Sequence, residues 1–394
     1  MRNSFHVDGI TGEAQTPDMK RMTCILLLAW AGLALLPQTA LAGQFKPGVY
    51  YKVGGVPYSI VTADFDHDGN LDLAVSDLGA NQISILMGKG DGSFRPARTF
   101  SVPSCAGLAV GDFNEDGIPD LAIVEYAGSG TAALGIYLGN GDGTFRTGAS
   151  YVLGRGTVWL AAADFNGDGH LDVAVANSGS DTHGTNGSVM VLFGKSDGTF
   201  GKPMTYKLPG GPFAIAAADL NGDGHPDIAV TANAGTVAIL MNTGSGKFKH
   251  TKTYAAGGEP AGITVAPLNR GGKGHEDLVV ACVQGVGVLL GNGDGTFGKE
   301  TIYSTNGIGV APRDVVVADF NGDGNPDVAA ALFNGNSALL YGKGDGTFKA
   351  AVPIKIKGGE MLSLVAGDFA NHQAPDLAIP GSTANRVAVF INSR

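Results

Sequence analysis

The chain has 394 residues, 63 of them glycine and only 16% charged, with a net charge of −10 at pH 7. That acidity excludes a nucleic-acid-binding protein, which needs clustered positive charge. Low charge, many turn residues and short apolar runs point to an all-β protein rather than a helical one.

Residues 1–18 are polar and patternless. The next segment, MKRMTCILLLAWAGLALLPQTALA at 19–42, joins a basic start (Lys20, Arg21) to an apolar stretch and ends in Ala40-Leu41-Ala42. This is the pattern of a secretory signal peptide. Met19 is the expected start and Ala42 the expected cleavage point. Its apolar core, about 13 residues, is shorter than the roughly 20 that span a bilayer; an uncleaved anchor is the alternative. The product is expected to be secreted, extracellular or periplasmic, monomeric and without a membrane span. Cleavage removes three basic and three acidic residues, so the net charge stays at −10. Cys105 and Cys282 remain, expected as buried free thiols rather than a bridge, although export would permit oxidation.

Residues 43–394 read as one domain of repeats. Five acidic loops recur: DFDHDGNLD at 64–72, DFNEDGIPD at 112–120, DFNGDGHLD at 164–172, DLNGDGHPD at 219–227 and DFNGDGNPD at 319–327. Each places oxygen side chains at positions 1, 3, 5 and 9, with glycine at 6. A hard cation such as Ca²⁺ takes six to eight oxygens, which a tightly curled loop supplies from few residues. In the first loop the expected ligands are Asp64, Asp66, Asp68, the Asn70 carbonyl and Asp72. The same roles fall on Asp112, Asn114, Asp116, Ile118 and Asp120, and on Asp164, Asn166, Asp168, His170 and Asp172. The last two sets are Asp219, Asn221, Asp223, His225 and Asp227, then Asp319, Asn321, Asp323, Asn325 and Asp327.

Two carboxylates about 4 Å apart repel by roughly 4 kcal/mol at an effective dielectric near 20. Loops with three or four of them are therefore expected to close around a cation, giving about five structural calcium sites. Solvated turns without metal are the plainer alternative. An EF-hand would need flanking helices and a Glu at position 12, and zinc would want nitrogen or sulfur ligands.

Two eroded copies, APLNRGGKGHED at 266–277 and DFANHQAPD at 368–376, complete a series of seven with steps of 48 to 55 residues. A fixed period in this range marks a propeller or a solenoid. Each repeat offers an apolar run into the loop, one out of it, a third with alternation, a Gly-rich turn such as GNGDGTF at 139–145, and a polar fourth run. Four short strands of this kind make an antiparallel propeller blade. The strand after GxGDGTF argues for a hairpin, since a phosphate-binding loop needs a helix there. The turn-end phenylalanine occurs at Phe94, Phe145, Phe200, Phe248, Phe297 and Phe348, while the last repeat stops after VAVFIN at 387–392. GQFKPGVYY at 43–51 carries the missing seventh copy, so 44–52 is expected to complete the last blade and close the ring.

These residues resemble the FG-GAP repeats of integrin α-subunit heads and, more closely, the bacterial VCBS-type repeats. The shared pattern is ADFNGDGxxDLAVA followed by VxVLLGxGDGTF, across 44–394. The resemblance implies a seven-bladed propeller with calcium between the first two strands of selected blades; blades five and seven are expected to lack it. It does not fix function, because such propellers serve adhesion, sugar binding and polysaccharide cleavage.

No HExxH, GxSxG elbow or Cys/His pairing suggests catalysis. The leading expectation is a non-catalytic binding or adhesion module for an extracellular protein or glycan; a lectin-like sugar binder and a polysaccharide lyase are the alternatives. Calcium loops and Gly-rich turns share one face of the ring, and the opposite face carries the variation. Two loops there are enlarged, at 125–135 and 177–188. Tyr58, Trp159, Phe213 and Arg313 stand at the blade entries and are the candidate anchors, since aromatics with a cation suit sugars or peptide side chains. Packing between blades is the alternative role for the aromatics.

Overall fold

The computed structural model describes residues 44–126, 130–179, 185–269, 274–357 and 359–394. Among them the strands form seven antiparallel sheets of four. Blade one runs Pro57–Ala63, Asp72–Asp77, Gln82–Leu86 and Arg98–Ser101 from the axis outward. The first strands of successive blades pack side by side around the axis, and Pro57–Ala63 meets Val365–Gly367 to complete the circle.

The last blade draws its strands from both chain ends. Val365–Gly367, Asp376–Gly381 and Arg386–Phe390 come from the C-terminus, and Val49–Lys52 pairs outside them. The register runs from Val49 opposite Val389 to Lys52 opposite Arg386. Lys46 N–H donates to the Ile391 carbonyl at 2.7 Å, extending the seam. The ring therefore has no free repeat edge, as the phase of the turn-end phenylalanines predicted.

Each second strand is buried on all six of its leading residues, for example Asp72–Asp77 and Asp227–Ala232. Such a strand has sheet neighbours on both edges and adjacent blades on both faces. It therefore reads as a continuous apolar run rather than an alternating one. The core is accordingly a set of clusters between blades, each mixing residues of two neighbours.

The turn-end phenylalanines join one blade to the next. Each packs on the aromatic or aliphatic residue at position 2 of the preceding blade's loop. Phe145 meets Phe65 at 5.4 Å between centroids, Phe248 meets Phe165 at 5.5 Å, and Phe94 meets Phe369 at 5.5 Å. Where that position is leucine, Phe297 packs with Leu220 and Phe348 with Leu268. Phe45 meets Phe320 at 5.8 Å, so the N-terminal segment makes the same contact in blade seven. Aromatic pairs of this kind add about 0.5–1.5 kcal/mol each beyond their buried area.

Cys105 and Cys282 are buried free thiols in blades two and five. Burial pushes both thiols up, Cys105 to about 12, which leaves them inert at neutral pH.

Candidate metal centres and the opposite face

The five acidic loops curl as their sequence demands. Asp64 accepts the Asp68 and Gly69 N–H groups at 3.1 and 2.9 Å, and Asp164 accepts those of Gly167 and Gly169 at 2.7 and 2.8 Å. Position 5 accepts the N–H of position 7, as in Asp168 with His170 at 2.9 Å. Gly69 has φ of 86° with open space around a hypothetical Cβ, so backbone conformation rather than crowding requires glycine there.

The donor chemistry fits a hard cation. In blade one, carboxylate oxygens of Asp64, Asp66 and Asp72 lie within 4.8 Å of one another. No ion pair joins these loops' aspartates to a lysine or arginine among the described residues. Burial pushes Asp72 up to about 7, opposed by its N–H donors and reinforced by Asp66 and Asp68. Asp120, Asp172, Asp227 and Asp327 are raised to about 6 for the same leading reason. A divalent ion would relieve this repulsion. Position 7 differs among loops: Asn70 donates from its side chain to Asp68 at 2.8 Å, while the His170 ring meets Glu115 of the preceding loop.

Position 9 does more than the sequence indicated. Asp72 accepts the Phe65 N–H at 2.8 Å and the Gly88 N–H at 2.7 Å, tying loop, second strand and hairpin together. The arrangement recurs around the ring, except that in blade six Asp327 takes the N–H of Asn321 in place of that of Phe320. Asp277 accepts from Leu268 and Gly291 at 2.9 and 2.7 Å, and Asp376 from Phe369 and Asn392 at 2.8 and 2.7 Å. Blades five and seven thus keep the buried aspartate although their other calcium positions are eroded. In blades four and seven an asparagine replaces the hairpin glycine and reaches the preceding blade: Asn242 Nδ2 donates to the Phe165 carbonyl at 2.6 Å, Asn392 Nδ2 to that of Phe320 at 2.8 Å.

On the opposite face, the structure brings three of the four candidate anchors together. Tyr58 of blade one lies 5.9 Å from Trp159 of blade three, ring to ring, although these blades are not adjacent. Blade two lets them meet because it has Ala106 and Gly107 at its entry. A Cβ on Gly107 would lie 2.4 Å from the Val158 carbonyl. Burial raises Tyr58 to about 12, with Arg313 opposing and Asp314 reinforcing the shift. The Arg313 guanidinium also lies 4.7 Å from the Phe333 ring centroid. Trp159 Nε1 is buried and has no hydrogen-bond partner among the described residues. Phe213 packs against the cluster between blades four and five, and Trp159 packs against the same cluster and the one between blades three and four. Residues 127–129 and 180–184 of the two enlarged loops lie outside the described residues.

Asp314 was not singled out by sequence. It accepts from Ser363 Oγ at 2.9 Å and Leu364 N–H at 3.3 Å, and burial raises it to about 6. A carboxyl whose folded pKa is raised contributes fully below its unfolded pKa, and that contribution is lost as pH rises through the folded value. Asp314→Asn is therefore expected to gain on the wild type by roughly 1–3 kcal/mol between pH 4 and 7. Denaturant midpoints across that window check it; a pH-independent difference would remove the assignment.

A family profile described as FG-GAP-like repeat matches residues 64–123, 112–175, 164–230, 219–273, 271–330 and 319–379. No curated protein matches the chain. Among solved structures, it is similar to BBS1N from a complex with ARL6DN, with a TM-score of 0.61 and 13% identity over 89% of this chain and 98% of that one. It is also similar to an Agrocybe aegerita lectin that recognises non-reducing terminal N-acetylglucosamine (TM-score 0.53, 19% identity, 87% and 96% covered). A third likeness is to Saccharomyces cerevisiae Sqt1 (TM-score 0.57, 11% identity, 89% and 99% covered). At these identities the likenesses speak for the fold alone. Repeat period, seven closed blades and a profile match across most of the ring agree: the chain belongs to the FG-GAP-like repeat family.

Proposed function

We propose that the chain is an exported, calcium-stabilised and non-catalytic binding or adhesion module for a protein or glycan, engaged through the face opposite the acidic loops. The observation that carries this reading is the Tyr58–Trp159 pair beside Arg313, with a buried indole N–H that lacks an acceptor among the described residues. A buried unpaired donor costs about 1–3 kcal/mol, so a ligand oxygen there would recover that energy. Calcium would hold the opposite ends of the blades and leave this face free.

The lectin-like version has specific support. An indole beside a phenol and a cation is chemistry that suits a sugar, and one propeller of similar fold binds N-acetylglucosamine. A glycan array carrying N-acetylglucosamine-terminated and acidic glycans, read with calcium present, is the test. Trp159→Phe keeps the ring packing and removes Nε1. It is expected to weaken any positive glycan about five- to tenfold without lowering the melting temperature. Arg313→Gln is expected to weaken acidic glycans further. Full binding by both variants would overturn the assignment of this face, and a blank array would retire the lectin version in favour of a protein ligand.

A further inference from the structure

Seven copies of one blade junction make a deviation in any of them visible. Six residues after the turn-end phenylalanine stands an aromatic in six blades: Phe100, Tyr151, Tyr206, Tyr254, Tyr303 and, after Phe45, Tyr51. Each lies on its blade's outer strand and packs against the turn-end phenylalanine of the next blade, with ring centroids 5.3 to 5.8 Å apart. Three of the tyrosine hydroxyls also accept that residue's N–H: Phe94 at 3.1 Å, Phe200 at 2.6 Å and Phe297 at 2.9 Å. In blade six the place is taken by Ile354, which has neither ring nor hydroxyl to offer Phe45 of blade seven. Its register partner is reduced as well. Ser337 stands opposite Ile354, where the other blades carry Val, Ile or Leu. The buried Ser337 Oγ has no hydrogen-bond partner among the described residues.

A cleft of about 580 Å³ opens at this junction, a size that accommodates a small molecule. Phe45, Ile354 and Phe390 give it an apolar lining, and the exposed Lys46, Lys355 and Lys357 stand along it. No acid lines it, and none of the three lysines is ion-paired among the described residues. In a chain of net charge −10, three cations around an acid-free apolar cleft reverse the prevailing sign locally. The comparable cleft between blades four and five, about 630 Å³, differs in both respects. Tyr254 and Phe297 keep their ring pair within it, and Glu300 lines it together with Lys252 and Lys299.

We propose that the cleft between blades six and seven binds a small aromatic anion of the aryl carboxylate class. The ligand's ring takes the place against Phe45 that the other six junctions fill with a side chain of the protein. Ring pairs of this kind are favourable beyond the area they bury. Its acid group meets the lysines, whose flexible ammonium groups supply charge without demanding a fixed geometry. A neutral aromatic gains only the ring contact, and an aliphatic acid only the charge. The site lies among outer strands, apart from the Tyr58–Trp159 pair, so it stands independently of the function proposed for that face.

The test titrates the full chain, in calcium, with 4-hydroxyphenylacetate by calorimetry and ligand-observed NMR. Its neutral amide and the non-aromatic cyclohexylacetate serve as comparisons. The wild type is expected to bind the aromatic acid about tenfold more tightly than the amide, a preference that fades as salt is added. Ile354→Tyr restores the side chain of the other junctions and is expected to abolish binding while raising the melting temperature. Joint replacement Lys46→Gln, Lys355→Gln and Lys357→Gln is expected to weaken the acid about tenfold and to leave the amide unchanged. Trp159→Phe and Lys252→Gln are expected to bind as the wild type does. Undiminished binding by Ile354→Tyr would overturn the proposal, as would equal affinity of the wild type for acid and amide, or for acid and cyclohexylacetate. Absence of binding at millimolar acid would overturn it too. Should Ile354→Tyr not fold, the lysine variant decides: an unchanged affinity for the acid refutes the site.

Discussion

Chelation of calcium is expected to lower the melting temperature of the purified protein by about 5 °C for each loop that had been filled. At free calcium near 100 times its dissociation constant, one site adds roughly 2.7 kcal/mol. In a domain of this size each kcal/mol moves the midpoint by about 2 °C. Five independent sites would together shift it by 20 °C or more. The reason lies in the electrostatics of the loops: in blade one three carboxylates converge, no lysine or arginine pairs with the loop aspartates among the described residues, and the innermost aspartates are pushed up by burial. Magnesium, which sheds its water reluctantly, should restore little of the loss. Scanning calorimetry with chelator, then with calcium or magnesium added back, gives the measurement. A midpoint that ignores the chelator would mean the loops are ordinary solvated turns.

Much of the ring was legible because a repeat announces itself seven times. A period of about fifty residues, the loop glycine and the turn-end phenylalanine each mark a fixed place in a blade. The displaced seventh phenylalanine, Phe45, located the closing strand correctly, since it packs on Phe320 as Phe145 packs on Phe65. Contacts that depend on the curvature of the ring were not legible. Nothing in the spacing of Tyr58 and Trp159, about a hundred residues apart, says that they meet across blade two. The eroded blades were the other blind spot. The seventh loop read only as an eroded copy, whereas in the structure His372 pairs with both Asp368 and Asp376. Position 9 read as one calcium ligand among five, and the structure adds a second role, as acceptor of two backbone N–H groups.

That last distinction separates two kinds of aspartate by experiment. Asp277→Ala, in a blade without the calcium pattern, is expected to cost roughly 2–5 kcal/mol whether or not calcium is present. Its carboxylate is fully buried and accepts the Leu268 and Gly291 N–H groups, which alanine would leave unpaired at about 1–3 kcal/mol each. Asp277→Asn retains an acceptor and should lose about half as much. Asp168→Ala is the counterpart, at position 5 of a complete acidic loop and exposed to solvent. Among the described residues its carboxylate accepts only locally, from Asn166 Nδ2 and the His170 N–H, so its cost should be large with calcium and small with chelator. Unfolding curves of the three variants in both conditions decide the matter. If Asp277→Ala were as sensitive to calcium as Asp168→Ala, blade five would hold an ion after all. If it were harmless, the hydrogen bonds of position 9 would not be what keeps that residue in all seven blades. The expected pattern instead makes the buried aspartate the older requirement of the blade. Metal binding would then be an addition confined to the loops that carry the full acidic pattern.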